Sequence, residues 1–387
     1  MPIESDTADQ RWMRLALELA ANGQGCVEPN PMVGCVLVKD GTCIGQGFHR
    51  RFGGPHAEIE ALRSLPSPSD ARGATAYVTL EPCCHHGKTP PCSTALIQAR
   101  VGRVVCAMRD PFPKVDGGGI GQLRESGIDV TLGVLETAAQ SLNAPYLKRL
   151  QTGTPWTIAK WAMTADGRIA THTGQSKWIS GAGSRRHVHQ LRSRVDAIIV
   201  GMGTVLADDP MLNARLEDRN LPLQPAPRSQ SRIAKRVIVC RQRLPPLESK
   251  LVRTANTLPT WVFSSPGVNQ SELQRLVECG VRNVAIDTDD PHQMIRQMLE
   301  QLGRMEMTNV MLEGGAQLLG SFLDPDSTQC LIDECHVYIG GKLFGGQQAP
   351  GPIAGPGIAA IVDAAQLRVQ SVDQFDDDVR IVYRRRD

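Results

Sequence analysis

The stretch of sequence that decides the fold is PCCHHGKTPPC at residues 82–92, and it acts together with two residues upstream, His56 and Glu58. One imidazole, from His56, and two thiolates, from Cys83 and Cys92, can hold a zinc ion and leave its fourth coordination position open to water. Zinc lowers the pKa of such a water to about 7, so hydroxide is available at neutral pH. Glu58 stands close to the imidazole in sequence, where a proton carrier is needed. These residues therefore predict a catalytic zinc site.

The spacing of the same residues places the site at the ends of helices. Residues two apart do not share one side of a helix, so His56 and Glu58 converge only at the N-terminal end of the helix that they begin. Cys92 similarly begins the following helix, whose positive end favours a thiolate. The residue types and their order match the His-x-Glu … Pro-Cys … Cys signature of zinc-dependent deaminases.

A structural zinc site is the main alternative for this cluster. An isolated histidine or cysteine is most often a surface or core residue, and Cys84, His85 or His86 could supply a fourth protein ligand. Four protein ligands would close the coordination sphere and make the site structural. That alternative leaves Glu58 without a role, and the identity of the fourth ligand decides between the two interpretations.

Length and composition describe a two-domain globular protein. The chain has 387 residues, and its hydrophobic and charged fractions, 41% and 21%, are ordinary for such proteins. A net charge of +2, without a basic stripe, argues against nucleic acid as a partner. The 11 cysteines are odd in number and partly clustered, so they do not indicate a disulfide framework. Because we find no signal peptide and no apolar run of ~20 residues, we expect a cytoplasmic protein without membrane contact.

Apolar periodicity in the first 150 residues is typical of a layered α/β fold. The segment 141–156 breaks this pattern with a glycine and two prolines, so we place the junction near residue 150, between domains at 1–150 and 151–387. The predicted elements are a helix at Arg11–Ala21 capped by Thr7 or Asp9, a strand at Pro31–Val38 ending in a hairpin turn at Asp40-Gly41, a helix from His56 to about Leu65 with Pro55 in its first turn, a strand at Thr75–Leu80, a helix at Ser93–Ala99 and a strand at Arg103–Met108.

The second half is again α/β, and two glycine turns stand out in it. Gly201–Thr204 and Glu313–Ala316 each follow an apolar run, and the second opens a helix through Leu323. Glycines at such turns let backbone N–H groups approach a phosphate, although most such turns are structural. No GxGxxG follows a strand, which argues against a Rossmann domain. We interpret residues 215–235 as a surface loop and Arg384–Arg386 as a solvated tail. The predicted strands are Thr157–Ala162, Ala197–Val200, Val237–Cys240, Trp261–Ser264, Val310–Leu312 and Glu334–Ile339.

Several motifs of the first domain resemble one family. Most nucleobase deaminases have two residues between their cysteines, whereas eight separate Cys83 from Cys92. With this spacing, the domain resembles the N-terminal deaminase domain of the bifunctional riboflavin-biosynthesis deaminase–reductases. The further matching motifs are PNPMVG at 29–34, GQGFH at 45–49 and GP at 54–55.

The resemblance implies a cytidine-deaminase-like three-layer domain. In it, His56, Cys83 and Cys92 would bind zinc, and Glu58 would be the catalytic residue that shuttles protons. The pyrimidine nucleotide would be contacted by Asn30, His49, Lys88 and Asp110. The chain departs from the family at Phe112, because residues 110–113 read DPFP where DPNP is common. We therefore do not assign Phe112 to the site.

From about residue 155 to its end, the chain resembles the reductase domain of the same family. The matching motifs are ADGRIA at 165–170, GQSKWIS at 174–180, GTVLADDP at 203–210 and EGG at 313–315. The resemblance implies a fold similar to dihydrofolate reductase, with NADPH as the cofactor. NADPH would be bordered by Ala162, Trp178, Thr204, Asp208, Gly315, Ala316, Gln317, Leu318, Leu319, Gly320 and Ser321. The ribosyl-phosphate substrate would be bordered by Ser176, Arg192, Leu212, Arg215 and Glu313. Guanidinium groups suit phosphate oxygens, and Arg241 would reach the 2′-phosphate of NADPH.

We therefore expect an α/β enzyme of riboflavin biosynthesis with two activities. Zinc-dependent hydrolysis would remove the 2-amino group of a diaminopyrimidinone ribosyl phosphate, and NADPH would then reduce the ribosyl chain to ribityl. We expect small pyrimidine ribosyl phosphates as its binding partners and a homo-oligomeric state. Two alternatives stay open: a nucleoside or nucleic-acid deaminase with an unrelated appendage, and a structural-zinc interaction module joined to a nucleotide-sensing domain.

Overall fold

The computed structural model describes residues 6–84, 91–113, 115–215, 233–324 and 329–386. The chain divides between Thr152 and Gly153 into two compact units. Among the described residues, we call 6–152 unit 1 and 153–386 unit 2. No helix in the described ranges is long and apolar enough to cross a membrane.

Unit 1 is a five-stranded sheet between two helical layers. The strand order is β2-β1-β3-β4-β5, in which β3, β4 and β5 run parallel and β1 is antiparallel to both of its neighbours. Buried residues of α2, α3 and α4 pack on one face of the sheet, and residues of α1 and α5 pack on the other. The elements are α1 Ala8–Ala21, β1 Gly34–Lys39, β2 Thr42–Phe48, α2 Ala57–Arg63, β3 Thr75–Val78, α3 Cys92–Gln98, β4 Arg103–Cys106, α4 Gly118–Glu125, β5 Asp129–Leu132, α5 Glu136–Leu142 and α6 Ala144–Thr152. The predicted three-layer domain is thus confirmed.

Local sequence explains where these elements begin and turn. Thr7 caps α1 and exchanges two hydrogen bonds with Gln10, so the helix begins three residues before the predicted start. The predicted hairpin is confirmed, because Asp40 and Gly41 adopt the left-handed conformations, φ 51° and 71°, that a tight turn between β1 and β2 requires. Segment 141–156, which breaks the pattern in the sequence, is nevertheless helical up to Thr152. Its Pro145 occupies the first turn of α6, where no N–H is needed.

Unit 2 is built on a nine-stranded sheet of order β10-β9-β8-β7-β11-β6-β14-β16-β15. Its strands run parallel from β10 to β14, and β16 and β15 add an antiparallel edge. Separate apolar clusters cover its two faces. The helices are α7 Ala182–Arg192, α8 Met202–Asp208, α9 Lys250–Arg253, α10 Gln270–Glu278, α11 Pro291–Arg304 and α12 Ala316–Gly320. The strands are β6 Trp156–Thr164, β7 Ala197–Gly201, β8 Lys235–Cys240, β9 Thr260–Ser264, β10 Arg282–Ala285, β11 Asn309–Leu312, β12 Leu323–Asp324, β13 Gln329–Cys330, β14 Glu334–Gly340, β15 Leu367–Phe375 and β16 Asp378–Arg385.

All six strands predicted for this half are present, but two other expectations are wrong. Arg384 and Arg385 of the supposed basic tail belong to β16, where Arg384 donates to the largely buried carboxylate of Glu334 at 2.8 Å, and only Arg386 is exposed beyond the strand. The helix that follows Gly315 ends at Gly320 and not at Leu323, because the chain turns there into β12. The predicted surface loop lies mostly outside the described residues, which omit 216–232.

Two candidate active sites

The three predicted zinc ligands converge in unit 1. His56 is the N-cap residue of α2, Cys92 is the first residue of α3, and Cys83 lies between β3 and α3. His56 Nδ1 is 3.3 Å from Cys92 Sγ and 3.5 Å from Cys83 Sγ, and the three donor atoms all lie within 4.8 Å of one another. In a tetrahedral zinc site, bonds of about 2.1 Å to nitrogen and 2.3 Å to sulfur separate these atoms by about 3.6 Å. The donor set therefore fits one zinc ion.

Hydrogen bonding favours the thiolate form of Cys83. The thiol of Cys92 and the imidazole of His56 both contact Cys83, and together they lower the pKa of Cys83 to about 4. The backbone N–H of Cys92 also donates to Cys83 Sγ at 3.3 Å. Because zinc binds thiolates and not thiols, this environment favours metal binding at neutral pH.

Glu58 is placed for proton transfer. It is the second residue of α2, only 3% exposed, and its Oε2 is buried without a hydrogen-bond partner among the described residues. Burial raises the pKa of Glu58 to about 7, against the opposing effect of His56. A buried carboxyl group with a free oxygen beside three metal donors is suited to accept and return a proton.

Two of the predicted substrate contacts lie next to His56. The His49 ring is 5.4 Å from the His56 ring, measured between centroids. Its Nδ1 lies 2.9 Å from the Pro55 carbonyl oxygen, which can only accept, so Nδ1 carries the proton. His49 Nε2 is then the acceptor for the Asn30 side-chain amide at 3.3 Å. The structure thus brings Asn30 and His49 together beside the candidate zinc site.

The other two predicted contacts have different outcomes. Asp110 is buried just beyond β4, where its Oδ1 accepts from Tyr146 Oη and from the backbone N–H of Phe112, both at 3.0 Å. Burial raises the pKa of Asp110. Lys88 lies outside the described residues, as do His85 and His86.

Sequence reasoning missed Glu81, which organises the same region. Its buried carboxylate accepts hydrogen bonds from four backbone N–H groups: those of Asp110, Gly117, Gly119 and Ile120, at 3.0 to 3.4 Å. It therefore fixes the segment after β4 and the start of α4 directly beside Pro82 and Cys83. The available signal was a carboxylate at the end of an apolar strand, immediately before the Pro-Cys motif.

A second site occupies unit 2, in a cavity of about 970 Å³. Its residues Gly201, Val239 and Glu313 lie at or next to the carboxyl ends of β7, β8 and β11, where open α/β sheets bind ligands. Every contact predicted for this half lines the cavity except Gly320. The α-carbon of Gly320 instead packs on the backbone of Ala354, with no room for a side chain. The lining predicted residues are Ala162, Ser176, Trp178, Arg192, Thr204, Asp208, Leu212, Arg215, Arg241, Glu313, Gly315, Ala316, Gln317, Leu318, Leu319 and Ser321.

A buried charge cluster forms one wall of this cavity. Arg192 donates from Nε to Glu313 Oε1 at 2.5 Å and from Nη2 to Oε2 at 2.8 Å. Burial alone would raise the pKa of Glu313, but Arg192, with Lys160 at 4.0 Å, lowers it to about 2. Sequence reasoning missed Lys160, although a lysine inside the apolar run of β6 was a visible signal.

The mouth of the cavity carries the predicted cofactor contacts. Thr204 Oγ1 accepts from the backbone N–H of Gly315 at 2.9 Å and so joins the two glycine turns. The Trp178 indole is 65% exposed, and the Arg185 guanidinium stacks on it at 4.5 Å. Lys342 donates to the Trp178 carbonyl oxygen at 2.7 Å. An exposed aromatic ring with Arg185 stacked on it and its backbone anchored by Lys342 is a suitable platform for a flat cofactor ring.

Comparison with known proteins agrees with this geometry. Residues 6–108 match the cytidine and deoxycytidylate deaminase zinc-binding region, and residues 155–381 match the RibD C-terminal domain. The riboflavin biosynthesis protein RibD of Actinobacillus pleuropneumoniae is 40% identical over 97% of this chain and 95% of its own length. RibD of Escherichia coli strain K12 is 39% identical over 96% and 98%.

Solved structures extend the likeness to the whole fold. Acinetobacter baumannii RibD superposes with a TM-score of 0.82 at 38% identity, covering 98% of this chain and 99% of its own. A Thermotoga maritima diaminohydroxyphosphoribosylaminopyrimidine deaminase/5-amino-6-(5-phosphoribosylamino)uracil reductase superposes with a TM-score of 0.78 at 34% identity, covering 98% and 99%.

Fold and sites together define a zinc-binding deaminase joined to a nicotinamide-dependent reductase. The chain belongs to the RibD family of bifunctional riboflavin biosynthesis enzymes. The expected pair of activities, hydrolase and oxidoreductase, and the expected cofactors, zinc and NADPH, are thereby confirmed.

Proposed function

We propose that unit 1 deaminates a diaminopyrimidinone ribosyl phosphate and that unit 2 reduces the ribosyl chain of the product to ribityl. In terms of the sequence, residues 1–150 carry the deaminase and residues 151–387 the reductase. The observation that carries the proposal is the convergence of His56, Cys83 and Cys92 beside the buried, unpartnered Oε2 of Glu58. A structural zinc site has no use for that carboxyl group.

For deamination, we assign zinc binding to His56 Nδ1 and to the sulfurs of Cys83 and Cys92. Zinc held by these three residues would supply an activated water as the nucleophile. Glu58, with its Oε2 free of other partners, is placed to carry two protons in turn: one proton of the attacking water would go to the ring nitrogen and the other to the departing amino group. Water is added, the carbon–nitrogen bond breaks, and ammonia leaves. We assign Glu58 as the proton carrier and not as a ligand, because the donor cluster consists of His56, Cys83 and Cys92.

The pyrimidine would be oriented by side chains whose donor and acceptor atoms are set by their neighbours in the protein. The protonated Nδ1 of His49 is engaged by Pro55, which fixes the ring and leaves the His49–Asn30 pair to face the site. We assign the substrate edge to Asp110 and a contact with the nucleotide to Lys88. Glu81 supports Asp110 through the backbone.

For reduction, we assign the NADPH nicotinamide to the surface bordered by Ala162, Trp178 and the Thr204–Gly315 pair. NADPH supplies hydride when bound, and the protein positions donor and acceptor. The substrate lies against Ser176, Leu212 and the charged wall. Arg192 is already engaged with Glu313, so it presents a fixed cation, and Arg215 is the exposed guanidinium available to a phosphate.

A two-step assay on the purified full chain tests the proposal. Incubation with the diaminopyrimidinone ribosyl phosphate should release ammonia without NADPH. Addition of NADPH should then consume one equivalent of cofactor for each deaminated molecule. Ammonia release from RNA or a free nucleoside, but not from this nucleotide, would support a different deaminase. Absence of ammonia release from a zinc-loaded, folded chain would support a structural zinc module.

We further propose a cytoplasmic, homo-oligomeric enzyme that does not bind nucleic acid or membranes. No disulfide joins the cysteines in the part of the chain that the structure describes, which fits a reducing compartment. Cell fractionation and light scattering of the purified protein test the location and the oligomeric state.

A further inference from the structure

His189 stands between the two arginines that we assign to the reductase substrate. It lies on α7, one helical turn before Arg192, and it lines the unit 2 cavity together with Arg192 and Arg215. None of the motifs that point to the function includes it. Its ring contacts Asn213 and Arg215, in the segment that directly follows Leu212.

The ring contacts define a single protonation pattern. His189 Nε2 lies 3.4 Å from Arg215 Nη2, and because a guanidinium can only donate, Nε2 must be the acceptor. The proton then sits on Nδ1, which donates to the Asn213 carbonyl oxygen at 3.2 Å. The backbone N–H of Arg215 lies 3.3 Å from Nδ1, but it could donate there only in the other tautomer, which would turn an N–H toward the guanidinium. Burial, followed by the charges of Arg192 and Arg215, lowers the pKa of His189, so the ring is neutral at pH 7.

The same carbonyl group ties His189 to the charged wall of the cavity. Arg192 Nη1 donates to the Asn213 carbonyl oxygen at 3.2 Å. This oxygen therefore accepts two hydrogen bonds, one from His189 and one from Arg192, and both donors are on α7. Arg192 is in turn fixed by its two hydrogen bonds to Glu313. Arg215, by contrast, is exposed. An exposed arginine samples many rotamers, and ordering it on binding reduces affinity.

We propose that His189 is a positioning residue for the reductase: it holds the Arg215 guanidinium at the cavity wall and thereby favours substrates that carry a phosphate group. The inference rests on the proposed function, specifically on Arg215 as a phosphate contact. Its chemistry is specific, because a neutral imidazole accepts from the guanidinium at Nε2 without adding a competing charge. A cationic side chain at this position would repel Arg215.

Steady-state reduction of 5-amino-6-(5-phosphoribosylamino)uracil by full-length variants tests the inference. His189→Phe keeps an aromatic ring of similar size but removes both ring nitrogens. It should raise KM about tenfold and leave kcat within about twofold, since a phosphate clamp acts through binding. His189→Gln should restore most of the affinity, because one amide can donate to Asn213 and accept from Arg215. His172→Gln, an exposed histidine that does not line the cavity, is the matched control and should behave like the parent.

A double-mutant cycle separates positioning from independent binding. If His189 acts through Arg215, then His189→Phe in an Arg215→Ala background should raise KM little further. Multiplicative effects of the two substitutions would overturn the inference, as would a fall in kcat with KM unchanged. Deamination by the same samples shows whether unit 1 is intact, and the melting temperature together with the recovery in His189→Gln shows whether α7 is folded.

Different results would reject the assignment of Arg215 to the phosphate and the role of His189 in positioning Arg215. A normal KM in Arg215→Ala would remove Arg215 from the phosphate site and so count against the proposed function. A raised KM in Arg215→Ala, together with parental kinetics in His189→Phe, would leave that function in place and reject only the role of His189.

Discussion

Arg192 donates two parallel hydrogen bonds to the carboxylate of Glu313, from Nε at 2.5 Å and from Nη2 at 2.8 Å, and both side chains are largely buried. The pair links α7 to the turn after β11 within one wall of the reductase cavity. Removing one partner of a buried ion pair leaves the other charge uncompensated, which typically costs about 3–5 kcal/mol. The pair therefore sets the shape of the cavity as well as its charge.

Glu313→Gln should lower kcat/KM for reduction by at least about tenfold, since it leaves the charge of Arg192 without its counterion. The melting temperature should fall as well, and deamination by the same chain should continue. Glu300→Gln on α11, an exposed carboxylate 3.9 Å from Arg304, is the matched control and should change neither activity. Normal reduction by Glu313→Gln would show that the pair is not part of the reductase site.

Glu58→Gln isolates the proton carrier from the metal site. Glutamine is nearly isosteric but accepts no proton, so deamination should fall by about 10²-fold or more while zinc stays bound. Ammonia release and metal content, measured on one preparation, check both parts. Loss of zinc would move Glu58 into the coordination sphere and overturn its assigned role. Near-normal turnover would overturn it as well.

Cys83→Ser tests the ligand set against its direct sequence neighbour. The variant should lose zinc and deaminase activity together, because His56 and Cys92 alone leave the coordination incomplete. Cys84→Ser is the matched control: the Cys84 thiol lies 3.9 Å from the Val115 carbonyl oxygen and is outside the donor cluster. Zinc retained by Cys83→Ser but lost by Cys84→Ser would reassign the ligand.

Features of the fold and of the sites could be predicted where the residues that reveal them lie close together in the sequence. The zinc donors were found because few residue types bind zinc, and their placement at helix starts follows from spacing. The parallel strands β7, β8 and β11 were found because strands buried on both faces read as continuous apolar runs.

Features that depend on contacts between residues far apart in the sequence could not be predicted, because no local pattern marks them. Glu81 looks like an ordinary carboxylate until the fold brings the backbone N–H groups of Gly117 and Gly119 to it. Arg384 looks like part of a basic tail, because its partner Glu334 lies 50 residues earlier. The edge strand β15 consists of exposed and half-buried residues, among them charged ones, and so lacks the apolar run by which the inner strands were recognised.

Asp9 gives unit 1 a pH-dependent contribution to stability. Arg103 donates to both of its carboxylate oxygens, at 3.0 and 2.8 Å, and Tyr77 donates to Oδ1 at 2.8 Å. The hydrogen bonds from Arg103 lower the pKa of Asp9 below 3.8. A carboxyl group with a lowered pKa stabilises the fold above its unfolded pKa, and this stabilisation is lost as the pH falls through the folded value.

Asp9→Asn should therefore lower the free energy of unfolding by about 1 kcal/mol at neutral pH. The difference from the parent should disappear in acid below the lowered pKa, where Asp9 itself is protonated. Denaturant unfolding at several pH values measures it. Asp129→Asn is the control, because that carboxylate is 73% exposed and 3.5 Å from the same Arg103. A difference that persists unchanged in acid would contradict the assignment.

The two activities should be separable, because each set of assigned residues lies within one unit. Asp208 lines the reductase cavity and pairs with Lys177 at 3.3 Å, so Asp208→Ala should reduce NADPH-dependent turnover at least about tenfold and leave ammonia release intact. Glu58→Gln should show the converse and reduce a supplied deaminated intermediate at the parental rate. Each half-reaction is assayed with its own substrate, and circular dichroism confirms folding. If folded Glu58→Gln also failed to reduce supplied intermediate, one composite site would have to replace the two independent ones.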